Sequence, residues 1–217
     1  MKSYQKRFIE LAIEYRVLTF GEFVLKSGRV SPYFFNAGLF RSGRSLLSLA
    51  RCYAEAIEDS HLDYDVIFGP AYKGIPLAAS IAMVMAEKNG DEIPYAFNRK
   101  EKKDHGEGGC IVGAPITGKK VLIVDDVITA GTAIREVREL LEKEGATIAG
   151  VVVGLDRQEK GQGELSAIQE LESLCRFPVV SVVTLTQIVA FLRKTGDSET
   201  IVAEIELYRE RYGIKSQ

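Results

Sequence analysis

Two adjacent carboxylates, Asp125 and Asp126, follow four apolar residues at 121–124 and precede a segment of small and hydroxyl-bearing residues, TAGTA, at 129–133. Small residues allow backbone N–H groups to approach a ligand, and a helix that begins there adds positive partial charge, so the segment suits a phosphate monoester. The carboxylates are able to accept hydrogen bonds from a vicinal diol, such as the ribose 2′ and 3′ hydroxyls, or to hold a hydrated divalent cation. The pattern therefore indicates a site for a phosphorylated ribose.

A plain turn with a helix cap is the simpler explanation for two aspartates after a strand. It does not account for the whole run of four apolar residues, two acids, a spacer and TAGTA, which is typical of a phosphoribosyl diphosphate site. Another candidate, GAPITGKK at 113–120, nearly matches a P-loop but has Lys120 in place of the final serine or threonine. It also precedes a strand, whereas a P-loop follows one and opens a helix.

The acid pair has to be positioned by a sheet, and the apolar periodicity of the chain predicts one. Helical spacing predicts helices over 8–15, 46–57, 75–87, 134–141 and, as a charged surface helix, 199–212. Short apolar runs predict strands over 19–25, 33–36, 66–68, 95–97, 121–124, 147–155 and 179–183, the first two joined by a hairpin turn. The later strands and helices alternate, so the predicted fold is α/β with a mostly parallel sheet. Residues 99–119, rich in Gly, Lys and Glu, are predicted to form a functional or disordered loop.

The composition limits the classes of function. The 217 residues fit one domain, and a net charge of −2 gives no general reason to expect nucleic acid as a partner. The charged start of the chain does not resemble a secretory signal, and no apolar run is long enough to cross a bilayer, so no membrane partner is expected. Three scattered cysteines and two histidines argue against a disulfide framework or a zinc site, and they favour a reducing, cytoplasmic location.

Several segments resemble one family, the orotate phosphoribosyltransferases, along nearly the whole chain. The matching segments are FGEFVLKSGR at 20–29, SPYFFNAG at 31–38, FGPAYKGIP at 68–76, FNRKEKKDHGEGG at 97–109, VDDVITAGTAIRE at 124–136 and LDRQEKGQGE at 155–164. The diphosphate-sugar segment at 124–136 is shared by many phosphoribosyltransferases. SPYFFN and KKDHGEGG are much more selective for the orotate enzymes.

The resemblance implies a type I phosphoribosyltransferase fold, α/β, with a mostly parallel sheet flanked by helices. It implies a single domain over 1–217, with a small helix-and-hairpin hood over about 1–40 and a mobile catalytic loop over about 99–114. The implied reaction moves the 5-phosphoribosyl group from phosphoribosyl diphosphate to N1 of orotate, giving orotidine 5′-monophosphate and diphosphate. The implied cofactor is Mg²⁺, held mainly through substrate and water near Asp125 and Asp126. A cytoplasmic homodimer with shared active sites is also implied.

The resemblance assigns roles to individual residues. The implied catalytic residues are Lys103, His105, Asp125 and Asp126. The implied ligands of phosphoribosyl diphosphate are Lys26, Tyr72, Lys73, Arg99, Lys100, Lys103, His105, Asp125, Asp126, Val127, Ile128, Thr129, Ala130, Gly131, Thr132 and Ala133. The implied orotate ligands are Phe34, Phe35, Thr129 and Arg157.

Most of these residues also have simpler explanations. Lys26 and Lys73 are common types of surface charge, and Phe34-Phe35 in a strand is more often core packing, although at most one of the two need be buried. Arg157 is able to pair with the nearby Glu159. Two alternatives for the whole protein stay open as well: a phosphoribosyltransferase for another base, and a regulator that binds phosphoribosyl diphosphate without turnover.

Overall fold

The computed structural model describes residues 1–25, 27–103, 109–128, 131–161, 163–196 and 199–214, without the side chains of residues 102 and 103. Strands are β1 Leu18–Val24, β2 Val30–Phe35, β3 Val66–Gly69, β4 Tyr95–Lys103, β5 Gly109–Gly113, β6 Lys120–Val127, β7 Thr147–Asp156 and β8 Val179–Thr184. Helices are α1 Ser3–Glu14, α2 Gly43–Ser60, α3 Gly74–Asn89, α4 Thr132–Lys143, α5 Ala167–Cys175, α6 Leu185–Thr195 and α7 Glu199–Tyr212, with a 3₁₀ turn at Ala37–Leu39.

The main sheet has six strands in the order β5-β4-β3-β6-β7-β8, and every neighbouring pair is parallel except β4 with β5. Because the parallel strands alternate with helices, the predicted α/β class with a mostly parallel sheet is confirmed. The order places β6 between β3 and β7, at the middle of the sheet.

Strand β6 is buried on both faces. Leu122 and Val124 belong to the hydrophobic cluster that contains residues of α1, α2, α3, α6 and α7, whereas Val121 and Ile123 belong to the cluster that contains residues of α4 and α5. Successive strand side chains point to opposite faces, so a continuous apolar run is what a strand covered on both sides requires. Charged residues of β6 therefore lie outside this run, with Lys120 before it and Asp125 and Asp126 after it.

The β1–β2 hairpin forms a separate two-stranded antiparallel sheet. Its strand β2 packs on α7, where the Tyr33 and Tyr208 rings meet edge to face with centroids 6.2 Å apart. On the α1 side, Phe35 stacks with Phe8 at 6.2 Å. The hairpin is thereby held against the helices on one face of the main sheet.

The structure differs from the predicted loop over about 99–114. Strand β4 continues to Lys103, and β5 covers Gly109–Gly113, with Phe97 opposite Val112 and Lys103 opposite Gly109. The prediction was wrong for these residues because an antiparallel ribbon at a sheet edge needs no apolar period when it is not covered on both faces. Backbone hydrogen bonds hold it together, and side chains along it remain free to be polar.

Helices α5 and α6 were not predicted as elements, although their starts carry a sequence signal. Ser166 with Gln169, and Thr184 with Gln187, form reciprocal capping boxes at the two N-termini. Such a box satisfies backbone N–H groups that have no partner within the helix. Within the residues that the structure describes, no helix combines the length and apolar character that a membrane span requires.

Packing of α4 against the sheet gives a test of this fold. Leu141 on α4 is fully buried, whereas Leu174 on α5 is two-thirds exposed. We expect Leu141→Ala to lower the free energy of unfolding by about 2–5 kcal/mol through lost burial and a cavity. The matched change Leu174→Ala should stay within about 0.5 kcal/mol of the parent. Urea denaturation of both variants measures the difference, and equal effects would contradict the described packing of α4.

Candidate active site

The candidate site lies where three neighbouring parallel strands end. Strand β3 is followed by the loop Pro70–Lys73, β6 ends in Asp125–Val127, and β7 ends at Asp156, just before Arg157. Because β3, β6 and β7 are parallel neighbours, their carboxyl ends lie along the same edge. Ligands of open α/β sheets bind at this edge.

The two aspartates are held in place by backbone and ionic contacts. Asp125 Oδ1 accepts a hydrogen bond from the N–H of Asp126 at 2.8 Å, and Asp126 Oδ1 accepts one from the N–H of Val127 at 2.9 Å. Lys73 Nζ lies 2.7 Å from Asp126 Oδ2. Burial, and next the adjacent charge of Asp126, raises the pKa of Asp125 to about 6. This carboxylate is therefore short of favourable partners, which hydroxyl donors or a cation would supply.

Tyr53 of α2 supports the end of β6 from the core. Its hydroxyl donates a hydrogen bond to the backbone carbonyl of Asp125 at 2.8 Å, and burial raises its pKa well above the ordinary value, so the phenol keeps its proton. A Cβ added to Gly154 of β7 would lie 2.8 Å from the Tyr53 hydroxyl, too close for a side chain. Sequence reasoning missed both residues, although an isolated glycine in a β-branched strand is a signal of close approach.

The loop after β3 carries two of the predicted ligands, Tyr72 and Lys73, and brings Tyr72 into contact with a third, Lys100. The N–H of Ala71 donates to Asn98 Oδ1 of β4 at 2.9 Å, which fixes the loop beside β4. The exposed Tyr72 ring has the Lys100 ammonium 4.8 Å from its centre, a cation–π contact. Arg99 precedes Lys100 on β4, and Lys73, next to Tyr72 in the loop, contacts Asp126.

The turn at the start of this loop is possible only with glycine at two positions. A Cβ added to Gly69 would lie 2.0 Å from the carbonyl oxygen of Gly74, and one added to Gly74 would lie 2.7 Å from the carbonyl carbon of Gly69. The two backbones therefore touch directly. This contact sets where α3 begins relative to the end of β3.

The predicted phosphate-binding segment has the expected strand–turn–helix arrangement in its described part. Val127 is the last residue of β6, Ile128 follows it, and Thr132 and Ala133 open α4. Gly131 is the N-cap, with a left-handed φ of 69° that favours glycine. The N-terminus of α4 thus lies next to the acid pair in sequence, where its free N–H groups suit a phosphate.

The predicted orotate ligands lie on β2 and after β7. Phe34 is exposed and stacks on Phe23 at 5.6 Å, whereas Phe35 is partly buried against Phe8, so neither side chain is fully buried in the core. Arg157 Nη2 lies 2.7 Å from Glu159 Oε1. The ion pair named as the simpler explanation for Arg157 is therefore present.

Aromatic contacts connect the hairpin with the acid pair. The Phe8 ring lies 6.2 Å from Phe35 of β2 and 6.5 Å from Tyr53, whose hydroxyl binds the Asp125 carbonyl. The two groups of predicted ligands, those around β6 and those on β2, are thus joined through one packed aromatic cluster.

Some predicted site residues fall outside the described residues: Lys26, His105, Thr129, Ala130 and the side chain of Lys103. In the described ranges there is no group of three or more His, Cys, Asp or Glu side chains placed to hold a metal ion. Asp125 and Asp126 offer carboxylate oxygens, the donor type that Mg²⁺ prefers, and too few of them to enclose it alone.

Comparison with known proteins decides the family. The model of the phosphoribosyl transferase domain matches residues 39–172. An orotate phosphoribosyltransferase from Marinobacter nauticus is 60% identical over 214 residues, covering 99% of this chain and the whole relative. The chain belongs to the orotate phosphoribosyltransferases. A relative of the same name from Pseudomonas aeruginosa is 58% identical over 214 residues, with coverage of 99% of this chain and 100% of the relative.

Solved structures of orotate phosphoribosyltransferases have the same fold. The crystal structure from Francisella tularensis matches with a TM-score of 0.87 and 48% identity, covering 95% of this chain and 98% of that chain. The chain is therefore a transferase with the type I phosphoribosyltransferase fold. Within it, residues 39–172 contain the acid pair, the loop after β3 and Arg157, while the β1–β2 hairpin lies outside that range.

The raised pKa of Asp125 gives a stability prediction for the ligand-free protein. A folded pKa of about 6, above the unfolded value of 3.8, contributes stability that is fully present below pH 3.8 and lost as the pH rises through about 6. Asp125→Asn keeps an acceptor for the N–H of Asp126 but removes the charge. We expect its free energy of unfolding to exceed that of the parent by an amount that grows from pH 4 to 6 and levels off above, on the order of 2 kcal/mol.

Chemical denaturation at several pH values between 4 and 8 measures this difference. Asp63→Asn, at a side chain that is 83% exposed, controls for the loss of a surface carboxylate. A stability difference for Asp125→Asn that stays constant over the whole pH range would contradict the raised pKa.

Proposed function

We propose that the protein transfers the 5-phosphoribosyl group from phosphoribosyl diphosphate to N1 of orotate, giving orotidine 5′-monophosphate and diphosphate in pyrimidine synthesis. One observation carries the proposal. The largely buried Arg157 follows the strand next to the acid pair, so a cation for the carboxylate of a base lies one strand away from a site for ribose. The names of the relatives agree with this pairing of substrates.

The acid pair and the start of α4 would bind the sugar phosphate. Asp125 and Asp126 would accept hydrogen bonds from the ribose hydroxyls, and the segment from Val127 to Ala133, including Thr129 and Ala130, would wrap the 5-phosphate. Lys73 is already 2.7 Å from Asp126, which supports a position for its ammonium beside the proposed ribose site. Lys73 therefore has to serve both the acid pair and the donor substrate.

The basic side chains beside the acid pair would bind the diphosphate. Tyr72, Arg99 and Lys100 gather on β4 and the loop after β3, and Lys26, Lys103 and His105 complete the proposed set. At the anomeric carbon the transition state resembles an oxocarbenium ion while negative charge grows on the leaving diphosphate. Catalysis then depends on positioning and on stabilising that leaving group. Orotate is already an anion through its carboxylate, so no strong base is required to activate it. The N1 proton is released as the bond to the anomeric carbon forms, to the departing diphosphate or to water.

Mg²⁺ is the proposed cofactor. Asp125 and Asp126 would supply carboxylate oxygens to it, directly or through water, and the substrate would supply the remaining ligands. A carboxylate whose pKa is raised by burial and by a neighbouring negative charge is stabilised by a cation, which supports this assignment. When bound, the metal neutralises charge on the diphosphate.

The base would lie between β2 and the loop after β7. Arg157 would bind the carboxylate of orotate, with Thr129 at another polar edge, and Phe34 and Phe35 would line the pocket for the planar ring. The exposure of Phe34 supports contact with a ligand, whereas the stacking of Phe35 on Phe8 supports a role in shaping the wall.

Closure of the segment over about 99–114 is proposed to exclude water that would hydrolyse the activated sugar.

We also propose a homodimer whose active sites are shared between subunits. Apolar side chains exposed on α3 and β4, Met83 and Tyr95, support an interface there. The chain is proposed to act as a single domain, with its hood over about 1–40. Free thiols at Cys52, Cys110 and Cys175 fit a reducing, cytoplasmic location.

A spectrophotometric assay of orotate consumption tests the proposed reaction. Turnover should require both phosphoribosyl diphosphate and Mg²⁺. Turnover with another base and none with orotate would indicate a different acceptor. Tight binding of phosphoribosyl diphosphate with no turnover of any base would indicate a regulator.

The assignment of Arg157 gives a first kinetic prediction. Arg157→Ala should raise KM for orotate about 10- to 100-fold, the typical value of one charge-assisted hydrogen bond, and leave KM for phosphoribosyl diphosphate unchanged. Arg51→Ala, at an exposed arginine of α2, is the control and should change neither constant. An equal rise of both constants in Arg157→Ala would show a general structural defect.

The proposed role of Lys103 gives a second kinetic prediction. Lys103→Ala should lower kcat about 10²–10³-fold, since it removes one charge that stabilises the leaving group, and should weaken orotate binding far less. Lys119→Ala, at an exposed lysine in the turn before β6, controls for the loss of a positive charge. Near-normal turnover of Lys103→Ala would remove Lys103 from the catalytic residues.

A further inference from the structure

We propose that Glu159 is a positioning residue that holds the Arg157 guanidinium in the orientation that binds the carboxylate of the base. This inference rests on the proposed function, because it concerns how Arg157 meets its ligand. It assigns a role in base recognition to a residue that itself needs no contact with substrate.

Three side chains form a closed ring of polar contacts. The Tyr33 hydroxyl donates to Glu159 Oε1 at 2.7 Å, and Arg157 Nε donates to the Tyr33 hydroxyl oxygen at 3.2 Å. Arg157 Nη2 closes the ring with its 2.7 Å contact to Glu159 Oε1. Two of the three guanidinium nitrogens are thus fixed, which leaves the rotation of the side chain little freedom.

The ring is largely buried, and this environment keeps Tyr33 protonated and Arg157 charged. Tyr33 is 1% exposed, and the side chains of Arg157 and Glu159 are 19% and 13% exposed. Burial raises the pKa of Tyr33 well above its ordinary value, so the phenol remains a donor to Glu159. Burial disfavours the charged form of Arg157, but the attraction of Tyr33 and Glu159 outweighs it and raises the pKa of Arg157.

Glu159 does not neutralise the cluster. A second guanidinium, Arg29 Nη1, lies 3.8 Å from Glu159 Oε2, and Arg29 also stacks over the Tyr212 ring at 4.8 Å. Two guanidinium groups and one carboxylate leave one positive charge in a largely buried place. Among the residues described, Arg157 Nη1 makes no hydrogen bond. The cluster therefore has the charge and a spare donor for an anionic ligand.

The backbone that carries Glu159 is fixed from the side of α7. The N–H of Lys160 donates to the Tyr212 carbonyl at 2.8 Å, and the N–H of Ile214 donates to the Gln158 carbonyl at 3.0 Å. The Gln158 side chain in turn accepts from the N–H of Thr186 at 2.9 Å. Because these bonds hold the loop at both flanks of Glu159, its carboxylate is a rigid support for Arg157.

The competing explanation is that the ion pair only stabilises the fold. Loss of a stabilising ion pair and loss of a positioning ion pair change the kinetic constants of the enzyme in different ways. Loss of a stabilising pair lowers the melting temperature and affects both substrates together. Loss of a positioning group selectively raises KM for the substrate that Arg157 binds, since small displacements of a binding group change rates strongly.

Two substitutions at Glu159 separate these explanations. Glu159→Ala removes both acceptor contacts, and we expect KM for orotate to rise about 10- to 100-fold, with kcat and KM for phosphoribosyl diphosphate within about twofold. Glu159→Gln keeps an acceptor oxygen for Tyr33 and Arg157 and should return KM for orotate to within about threefold of the parent. Thermal melts of each variant confirm that it is folded.

The exposed pair Arg138–Glu142 on α4 offers a matched control. Its Nε–Oε1 distance is also 2.7 Å, but the two side chains are 34% and 48% exposed. Glu142→Ala and Glu142→Gln should leave all kinetic constants unchanged.

The possible failures are distinguishable. If the parent turns over orotate and Arg157→Ala raises KM for it, but Glu159→Ala does not, only the positioning role is wrong. A rise of both KM values in Glu159→Ala, or no recovery in Glu159→Gln, also overturns that role. If the parent does not turn over orotate, the proposed function fails and the inference fails with it.

Discussion

Burial of β6 on both faces is the constraint on which the rest of the site depends. A strand covered by helices on each side has to be apolar from Val121 to Val124, so its first polar side chains appear where it leaves the core. Because β3 and β7 run parallel beside it, their polar extensions come to the same edge. The acid pair, the loop carrying Lys73 and the loop carrying Arg157 are neighbours for this one reason.

At this edge of the sheet, the fold holds charged side chains in fixed positions that are unfavourable for their charge. Asp125 is partly buried beside another carboxylate, and Tyr53 fixes its backbone rather than its charge. Arg157 lies in the opposite situation, with its positive charge held by Glu159 and Tyr33 while Arg29 keeps the cluster cationic. A site built in this way would have an anionic half and a cationic half, and the Phe8, Phe35 and Tyr53 rings connect strand β2 with the anionic one.

The parts of the molecule that are local in sequence were predictable. The sequence from Val121 to Ala133 indicates, in order, a strand, two acidic residues and the start of a helix. The alternation of strands and helices after residue 64 indicates the α/β class. Contacts between distant segments were not predictable, since no local pattern links Tyr53 to Asp125 or Tyr33 to Arg157. The ribbon of β4 and β5 was missed for a different reason: strands paired at an edge through their backbones leave no apolar period to detect.

The hydrogen bonds between α7 and the loop after β7 have a consequence for the order in which the site is assembled during synthesis. The acid pair and α4 are only a few residues apart in sequence, so the proposed ribose half of the site is encoded in one stretch of chain. The loop with Arg157 and Glu159 takes its partners from Tyr212 and Ile214, which leave the ribosome much later. The growing chain therefore completes the stretch with the acid pair first, and the loop with Arg157 and Glu159 gains these backbone partners only after α7 has docked.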